Sequence, residues 1–254
     1  MIPVGARHPA FQRPHVLAHR MMVLGYPENT LISLREAIQL GVDWVEFDVK
    51  VLQDGTMVSM HDTLVDRTTD GTGDITKMTY AEVRKLNAGK GYSFGFVPVP
   101  TVEEICQELA KSPRIIRAEM HIHNLYEPEP LVDLLKKYNV QDRCYFNLNA
   151  IIVAEYMREE MHDSHSLLSL NVSGPSPELG ELCKKFDLSY LCVSVTGLNK
   201  TFVNEIHNYR PEHPLFVHSY PVQTEQGWKS LLEIGVDVIQ TDYPEALIEY
   251  LTNQ

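Results

Sequence analysis

Glu46 and Asp48 stand two apart in the apolar run Trp44-Val45-Glu46-Phe47-Asp48-Val49. A strand's two-residue period points both carboxylates to one face, opposite the buried-type Val45, Phe47 and Val49. That face costs free energy unless something positive occupies it. Asp54-Gly55 is a turn signal, and the run Met57-Val58-Ser59-Met60 then delivers His61 and Asp62 beside the first strand. One hairpin-like unit thus supplies two acids and an imidazole. A single acid here would be read as facing solvent, whereas the cluster points to a metal or acid/base site.

Residues of the same kinds end other apolar runs. His15-Val-Leu-Ala-His19 is followed by Arg20, a strand from Ile115 to Met120 carries Glu119 and leads to His121, and later runs end in Asn147, Ser194, His218-Ser219 and Thr241-Asp242. Glu46, Asp48 and Glu119 would converge as three hard oxygen donors suited to Mg²⁺ or Ca²⁺, completed by water and substrate oxygens. With no HExxH motif or cysteine cluster, zinc is less favoured. His121 and His123 share strand parity with Glu119, so a mixed site for a transition metal stays open. His19 and His61 come from separate elements and would flank such a centre, one taking a proton and the other giving one; hydrogen-bonded structural histidines are the competing reading. The Arg20 guanidinium is a fork suited to phosphate oxygens. Metal, guanidinium and two imidazoles describe phosphoester cleavage better than sugar isomerisation.

The elements that must position these groups alternate regularly. Thr30 caps a helix from Leu31 to Leu40 that Gly41 stops, and the carboxylate strand follows. The segment Thr63 to Pro100 is rich in Thr, Asp and Gly, with one helix expected near Tyr80 to Leu86. It is too long for an ordinary connection and reads as an insertion beside the site. From Thr101 helices are expected to about Ala110 and over Pro130–Tyr138, Ala150–Met161, Pro177–Phe186, Thr201–Asn208, Gln226–Ile234 and Pro244–Leu251. Between them fall strands Cys144–Asn147, Ser166–Leu170, Tyr190–Val195, Leu215–Ser219 and Val238–Thr241. About eight strand-helix units with short apolar strands suit a closed (β/α)8 barrel, whose chemistry gathers at the C-terminal strand ends. A doubly wound open sheet is the alternative, but no GxGxxG follows the first strand.

The bulk properties agree with one α/β domain over 1–254: 254 residues, 44% hydrophobic and 22% charged. A formal charge of -12 without a Lys/Arg block argues against nucleic acid as a partner. An anionic substrate would need local positive charge at its site. The first twenty residues hold no continuous apolar stretch, and no later segment approaches a membrane span, so a soluble, cytoplasmic protein without stable membrane insertion is expected. Cys106, Cys144, Cys183 and Cys192 lack metal spacing and read as reduced structural thiols, with a Cys183–Cys192 disulfide the minor alternative. Exposed Met and aromatic residues would support a homodimer, though none marks an interface.

His19-Arg20 followed by Pro27-Glu28-Asn29-Thr30, Glu46-Phe47-Asp48, His61-Asp62, the stretch DRTTDGTGDI at 66–75 and GVDVIQTDYPE at 235–245 together resemble the glycerophosphodiester phosphodiesterase family. The resemblance spans nearly the whole chain, from about His15. It implies a barrel of the TIM type with a small insertion after the second strand, here about 63–99. It also implies metal-dependent hydrolysis of a glycerophosphodiester, a small-molecule lipid breakdown product, to glycerol phosphate and an alcohol. On that resemblance His19 and His61 are the acid/base pair, Arg20 binds phosphate, and Glu46, Asp48 and Glu119 bind the metal. Three positions depart from the family pattern. Met21 replaces the usual Gly and is expected to narrow the mouth, and His121 replaces a common Lys, making its attraction for phosphate depend on pH. His218-Ser219 replaces an aromatic strand end. Related members act on lysophospholipids, for which Tyr92, Phe94, Phe96 and Val97 would form an apolar entrance unless they pack a minor core. An inactive phosphodiester-binding barrel is the reading from another class.

Overall fold

The computed structural model describes residues 14–112, 116–122, 127–209 and 215–253; the expectations for Ile115, His123 and the first thirteen residues lie outside them. β1 (His15–Ala18) leads through a 3-10 turn, His19–Met21, to α1 (Leu31–Leu40). Thr30 Oγ1 accepts from Ser33 N, and Gly41 at φ 90° closes the helix in the left-handed region, so both ends fall where capping chemistry places them. β2 (Trp44–Val51) turns back into the short β3 (Met57–Ser59), which pairs antiparallel with its far end, Val49 opposite Ser59. α2 (Tyr80–Val83) and α3 (Val102–Lys111) follow, each opened by a Thr/Glu capping box.

The remaining units alternate: β4 (Arg117–Ile122), α4 (Pro128–Tyr138), β5 (Cys144–Leu148), α5 (Ile151–Glu155), β6 (Leu167–Val172), α6 (Leu179–Lys185), β7 (Leu188–Val193), α7 (Lys200–Tyr209), β8 (Phe216–Ser219), α8 (Glu225–Ile234), β9 (Val238–Thr241) and α9 (Pro244–Thr252). The strand order is β1-β9-β8-β7-β6-β5-β4-β2, all parallel, and β1 also pairs with β2. That last pairing closes the sheet into a (β/α)8 barrel, with β3 outside it.

Strand parity sorts the side chains into two cores. Outward residues such as Val16, Ala18, Phe47, Met120, Phe146 and Leu191 pack beneath the helices. Inward residues Leu17, Trp44, Tyr145, Tyr190 and Val238 form a separate cluster, Trp44 meeting Tyr145 at 4.7 Å and Tyr190 at 5.6 Å between ring centroids. This aromatic plug fills the N-terminal half of the barrel and excludes water from below. Two residues further along the strands, Glu46, Glu119, Asn147, Ser169, Cys192, His218 and Gln240 are all buried. Alternation therefore places a polar layer directly on an apolar floor.

The segment after β3 packs its own small cluster, Leu52, Val58, Met60, Val65, Ile75, Val83, Ala88 and Val99. Tyr80 packs against that cluster, whereas Tyr92, Phe94 and Phe96 stand away from it, 42%, 43% and 59% exposed, while Val97 is buried. Gly91 and Gly95, at φ 85° and 72°, turn this loop outward, and Phe94 stacks on Tyr26 at 4.9 Å. The helix expected through Met161 changes after α5 to a π turn, Tyr156–Glu160, from which Arg158 donates to the carbonyl oxygens of Asp163, Ser166 and Phe186. The four cysteines are free and buried. Cys183 lies on the buried face of α6 and Cys192 inside the barrel, which separates the pair considered for a disulfide. Among the described residues no helix is long and apolar enough to cross a membrane.

Candidate active site

At the end of β1 the chain makes a tight turn in which Arg20 and Met21 both take positive φ, 52° and 57°. This lets the Met21 side chain drop into the core, fully buried, instead of narrowing the mouth as its size alone suggests. The turn also aims the Arg20 backbone N–H at Glu46 Oε2, 2.7 Å away. Asn29, likewise at positive φ, donates its amide to Asp48 Oδ2 at 3.0 Å and accepts from Ser59 Oγ at 2.7 Å. Glu46 and Asp48 are thus held by the loop after β1 and not by β2 alone.

Each of the two candidate acid/base histidines is oriented by a carboxylate. His19 Nδ1–H donates to Asp242 Oδ1 at 2.6 Å, joining the ends of the first and last barrel strands. His61 Nδ1–H donates to Asp62 Oδ1 at 2.7 Å. In each ring Nε2 is then the nitrogen left for proton transfer. Asp62 is shared with Arg67 Nε at 2.5 Å, Arg67 grips both oxygens of Glu28 at 2.8 and 2.9 Å, and Glu28 accepts from Arg20 at 3.2 Å. A file of alternating charges therefore runs from His61 to Arg20.

His19, Glu46, Asp48, His61, His121, Asn147, Asn149, Asn171, Cys192, Tyr220, Pro221 and Gln240 line a cavity of about 160 Å³ at the C-terminal mouth of the barrel. Arg20 and Glu119 sit one contact further back. Arg20 Nε is 3.9 Å from Asp48 Oδ2. The Glu119 carboxylate takes a short hydrogen bond from the Asn147 amide and faces His218 Nδ1 at 3.2 Å. It lies beside Glu46 in the sheet register but turns toward the polar layer beneath the cavity.

The electrostatics show how crowded the negative charge is. Burial, then the neighbouring Asp48 and Glu119, push the Glu46 carboxyl well above its usual range. Burial also raises Asp48, but hydrogen bonds from His121 and Asn29 outweigh it and hold this carboxyl far below its usual range. Burial alone would lower His121, while Asp48 and Asn149 win and raise it. His218, fully enclosed, is pulled down by burial against the attraction of Glu119. Asp62 is held down to about 2, chiefly by Arg67.

These donors fit a divalent cation. Ligand atoms of Glu46, Asp48 and His121 all lie within 4.8 Å of one another, as do those of Glu119, Cys192 and His218 directly beneath. Glu119 Oε2 is buried without a hydrogen bond of good geometry. Three buried carboxylates in one barrel mouth call for positive charge beyond Arg20, which is shared with Glu28, and the His121 ring that faces Asp48.

All seven residues singled out from the sequence meet at this mouth, five on the cavity wall and two behind it. The sequence reading did not assign the partners that hold them. Asn29 lay within the Pro27–Thr30 motif, and Asp242 stood at a strand end, so both carried a signal. Glu28 shared that motif and Arg67 stood in the 66–75 stretch, though nothing paired them, while Asn149 and Asn171 carried no signal.

The chain matches the Glycerophosphoryl diester phosphodiesterase family profile over residues 19–246. A glycerophosphodiester phosphodiesterase of Caldanaerobacter subterraneus subsp. tengcongensis is 28% identical over 255 residues, covering 92% of this chain and 96% of that protein. Glycerophosphodiester phosphodiesterase 1 of Homo sapiens is 40% identical over 100 residues, which is 38% of this chain and 30% of that protein. A solved Oleispira antarctica phosphodiesterase in complex with the product sn-glycerol-3-phosphate superposes with a TM-score of 0.79 at 25% identity, covering 94% of this chain and 97% of that one. The profile match begins at His19, spans every barrel strand after β1 and ends inside α9, so the chain belongs to the glycerophosphoryl diester phosphodiesterase family.

Proposed function

We propose that the chain hydrolyses a glycerophosphodiester to glycerol phosphate and an alcohol by two-histidine acid/base catalysis at a divalent cation, Mg²⁺ or Ca²⁺. The observation that carries this reading is the pairing of two carboxylate-held imidazoles with buried acids around one cavity. Glu46, Asp48 and Glu119 are the residues that would hold the cation. When bound, it neutralises these acids and draws charge from the phosphoryl oxygens.

The chain's own groups divide the remaining work. Arg20 offers its fork to a phosphate oxygen, and Arg67, already gripping Glu28 through two bonds, keeps that carboxylate satisfied if Arg20 lets go. One imidazole takes the proton of the attacking oxygen, from water or the substrate's own glycerol hydroxyl, while the other protonates the departing alcohol oxygen. His61 suits the second task. Its Nδ1–H is held by Asp62, which Arg67 anchors in turn, so Nε2 is the nitrogen that would hand a proton to the leaving oxygen. His19, with Asp242 behind it, suits the base.

The exposed Tyr92, Phe94 and Phe96 favour one extension of this reading, a substrate with an apolar tail such as a lysophospholipid. The test is hydrolysis of glycerophosphocholine, glycerophosphoethanolamine and a lysophospholipid with Mg²⁺, Ca²⁺ or chelator, comparing the native chain with Glu46→Gln. Metal-dependent release of glycerol phosphate, or of acylglycerol phosphate from the lysophospholipid, lost in the variant, supports the reading. Inert behaviour toward all of these substrates and a chromogenic diester would replace it with a phosphodiester-binding barrel.

A further inference from the structure

The main cavity is small for a whole glycerophosphodiester. Pockets that enclose a small molecule run about 300 to 1,000 Å³, and the space around His19 and His61 is about 160 Å³. A second cavity of about 230 Å³ opens between the loop after β1 and the insertion, its walls including Glu28, Arg67, Thr68, Lys90 and Tyr92. A narrow space of about 10 Å³ adjoins both: it shares His61 with the main cavity and Glu28 and Thr68 with the second. Taken together, the two larger cavities reach the usual range. The hydrogen bonds mark the same adjacency. Arg67, in the wall of the second cavity, grips both Glu28 and Asp62, and Asp62 is the carboxylate that holds the His61 ring. An alcohol that leaves beside His61 therefore departs next to this second cavity.

The wall of that cavity discriminates among alcohols. Arg67 and Lys90 outnumber Glu28, which is already held by Arg67 and Arg20. Lys90 Nζ donates to the Asp66 carbonyl oxygen at 3.1 Å and forms no ion pair among the described residues, so its charge and two further hydrogens are uncommitted. Thr68 Oγ1 is buried beside the cavity without a hydrogen-bond partner, a cost that a ligand hydroxyl reaching it would recover. Tyr92 alone would welcome a quaternary ammonium over its ring, but the two cations beside it oppose one. We propose that this cavity is the subsite for the leaving alcohol and that it selects a polyol, such as a cyclitol, over choline, with Lys90 setting the preference. This deepens the proposed function and rests on its reading that His61 protonates the departing oxygen. The glycerol phosphate half stays in the main cavity with Arg20 and the buried acids, while the polyol hydroxyls take their hydrogen bonds from Lys90 and Thr68.

The test compares kcat/KM of the full chain on glycerophosphoinositol and glycerophosphocholine, at one metal concentration, for the native sequence, Lys90→Gln, Lys90→Glu and Thr68→Val. Because each variant is scored by the ratio of its two rates, a general loss of folded protein cancels. The native chain should favour the inositol ester. Lys90→Gln should lower that preference about tenfold, the worth of one hydrogen bond from a charged group, and Lys90→Glu should reverse it toward the choline ester. Thr68→Val should lower it by a smaller factor of about three, the worth of one neutral hydrogen bond. The change should appear in KM for the inositol ester, since the subsite binds and does not react. A native preference for the choline ester, a ratio that neither Lys90 variant alters, or an equal loss on both esters overturns the subsite assignment alone. Failure of the native chain to cleave either ester or a chromogenic diester overturns it together with the phosphodiesterase reading beneath it.

Discussion

Assigning His61 as the proton donor makes a claim about leaving groups. An alkoxide such as that of choline is a poor leaving group and needs its proton in the transition state, whereas a nitrophenolate departs without one. Removing a general acid costs about 10² to 10⁴ in rate, or roughly 3 to 5 kcal/mol of transition-state stabilisation. His61→Ala should therefore lower kcat on glycerophosphocholine by that factor and on bis(4-nitrophenyl) phosphate by less than about tenfold. His19→Ala should lower both, because either ester needs its attacking oxygen activated. The carboxylates behind the rings should grade the same way. His61 and Asp62 are 39% and 29% exposed, so solvent screens the pair, and with Arg67 claiming the other oxygen Asp62→Asn should cost about 1 kcal/mol or less, a factor of at most five. His19 and Asp242 are 18% and 30% exposed, and no arginine competes for Asp242 among the described contacts, so Asp242→Asn should cost more. The assay is steady-state kinetics of the four variants on both esters at one metal concentration. An equal loss on both esters for His61→Ala, with a small loss on the chromogenic ester for His19→Ala, would reverse the assignment.

Asn29→Ala should be among the most damaging substitutions outside the ligands. It strips the buried Asp48 of one donor and Ser59 of its acceptor, and denaturant unfolding should show a loss of about 2 to 4 kcal/mol with weaker metal binding. Glu46 sets a pH dependence of stability in the metal-free chain. Its folded value is raised, so the folded state holds the proton longer than the unfolded chain, whose value is about 4.3. The contribution is full below that value and is lost as pH rises toward the folded value, at up to about 1.4 kcal/mol per pH unit. In chelator, thermal melts between pH 5 and 8 should show the native chain losing stability relative to Glu46→Gln as pH rises, and added cation should remove the difference. Trp44→Ala should cost about 3 to 5 kcal/mol by opening the plug, measured by denaturant unfolding.

Much of this was legible from local chemistry. Thr30 and Gly41 bound α1 because capping and left-handed closure act within a few residues, and strand parity put Glu46 and Asp48 on one face without any tertiary information. The barrel followed from counting units whose ends carried polar residues. Lateral neighbours were not legible, since parity says which residues face inward but not which lie side by side around a ring. Hence the Asn149–His121 contact and the pairing of Glu119 with His218 are not written in the chain. Met21 misled for another reason: its bulk was visible, but the positive φ that sends the side chain into the core is set by the Arg20–Asn29 turn. The aromatic residues at 92–96 stay outside the minor core, which is built from aliphatic side chains drawn from positions 52 to 99, a spread that no local pattern reveals.

The contact between His19 and Asp242 spans 223 residues and is made by the seam where the first strand meets the last. Loop closure over so long a stretch comes late and costs entropy that earlier contacts have not offset. During synthesis, the groups at the ends of β1, β2 and β4 can gather before β9 exists, but His19 has no carboxylate behind it until the final strand docks. A chain stalled or trimmed before Val238 would hold most of the mouth and still lack the carboxylate that orients His19. On the proposed mechanism, competence for catalysis becomes a readout of complete barrel closure, and a refolding experiment that follows activity beside fluorescence would report the sealing of that seam.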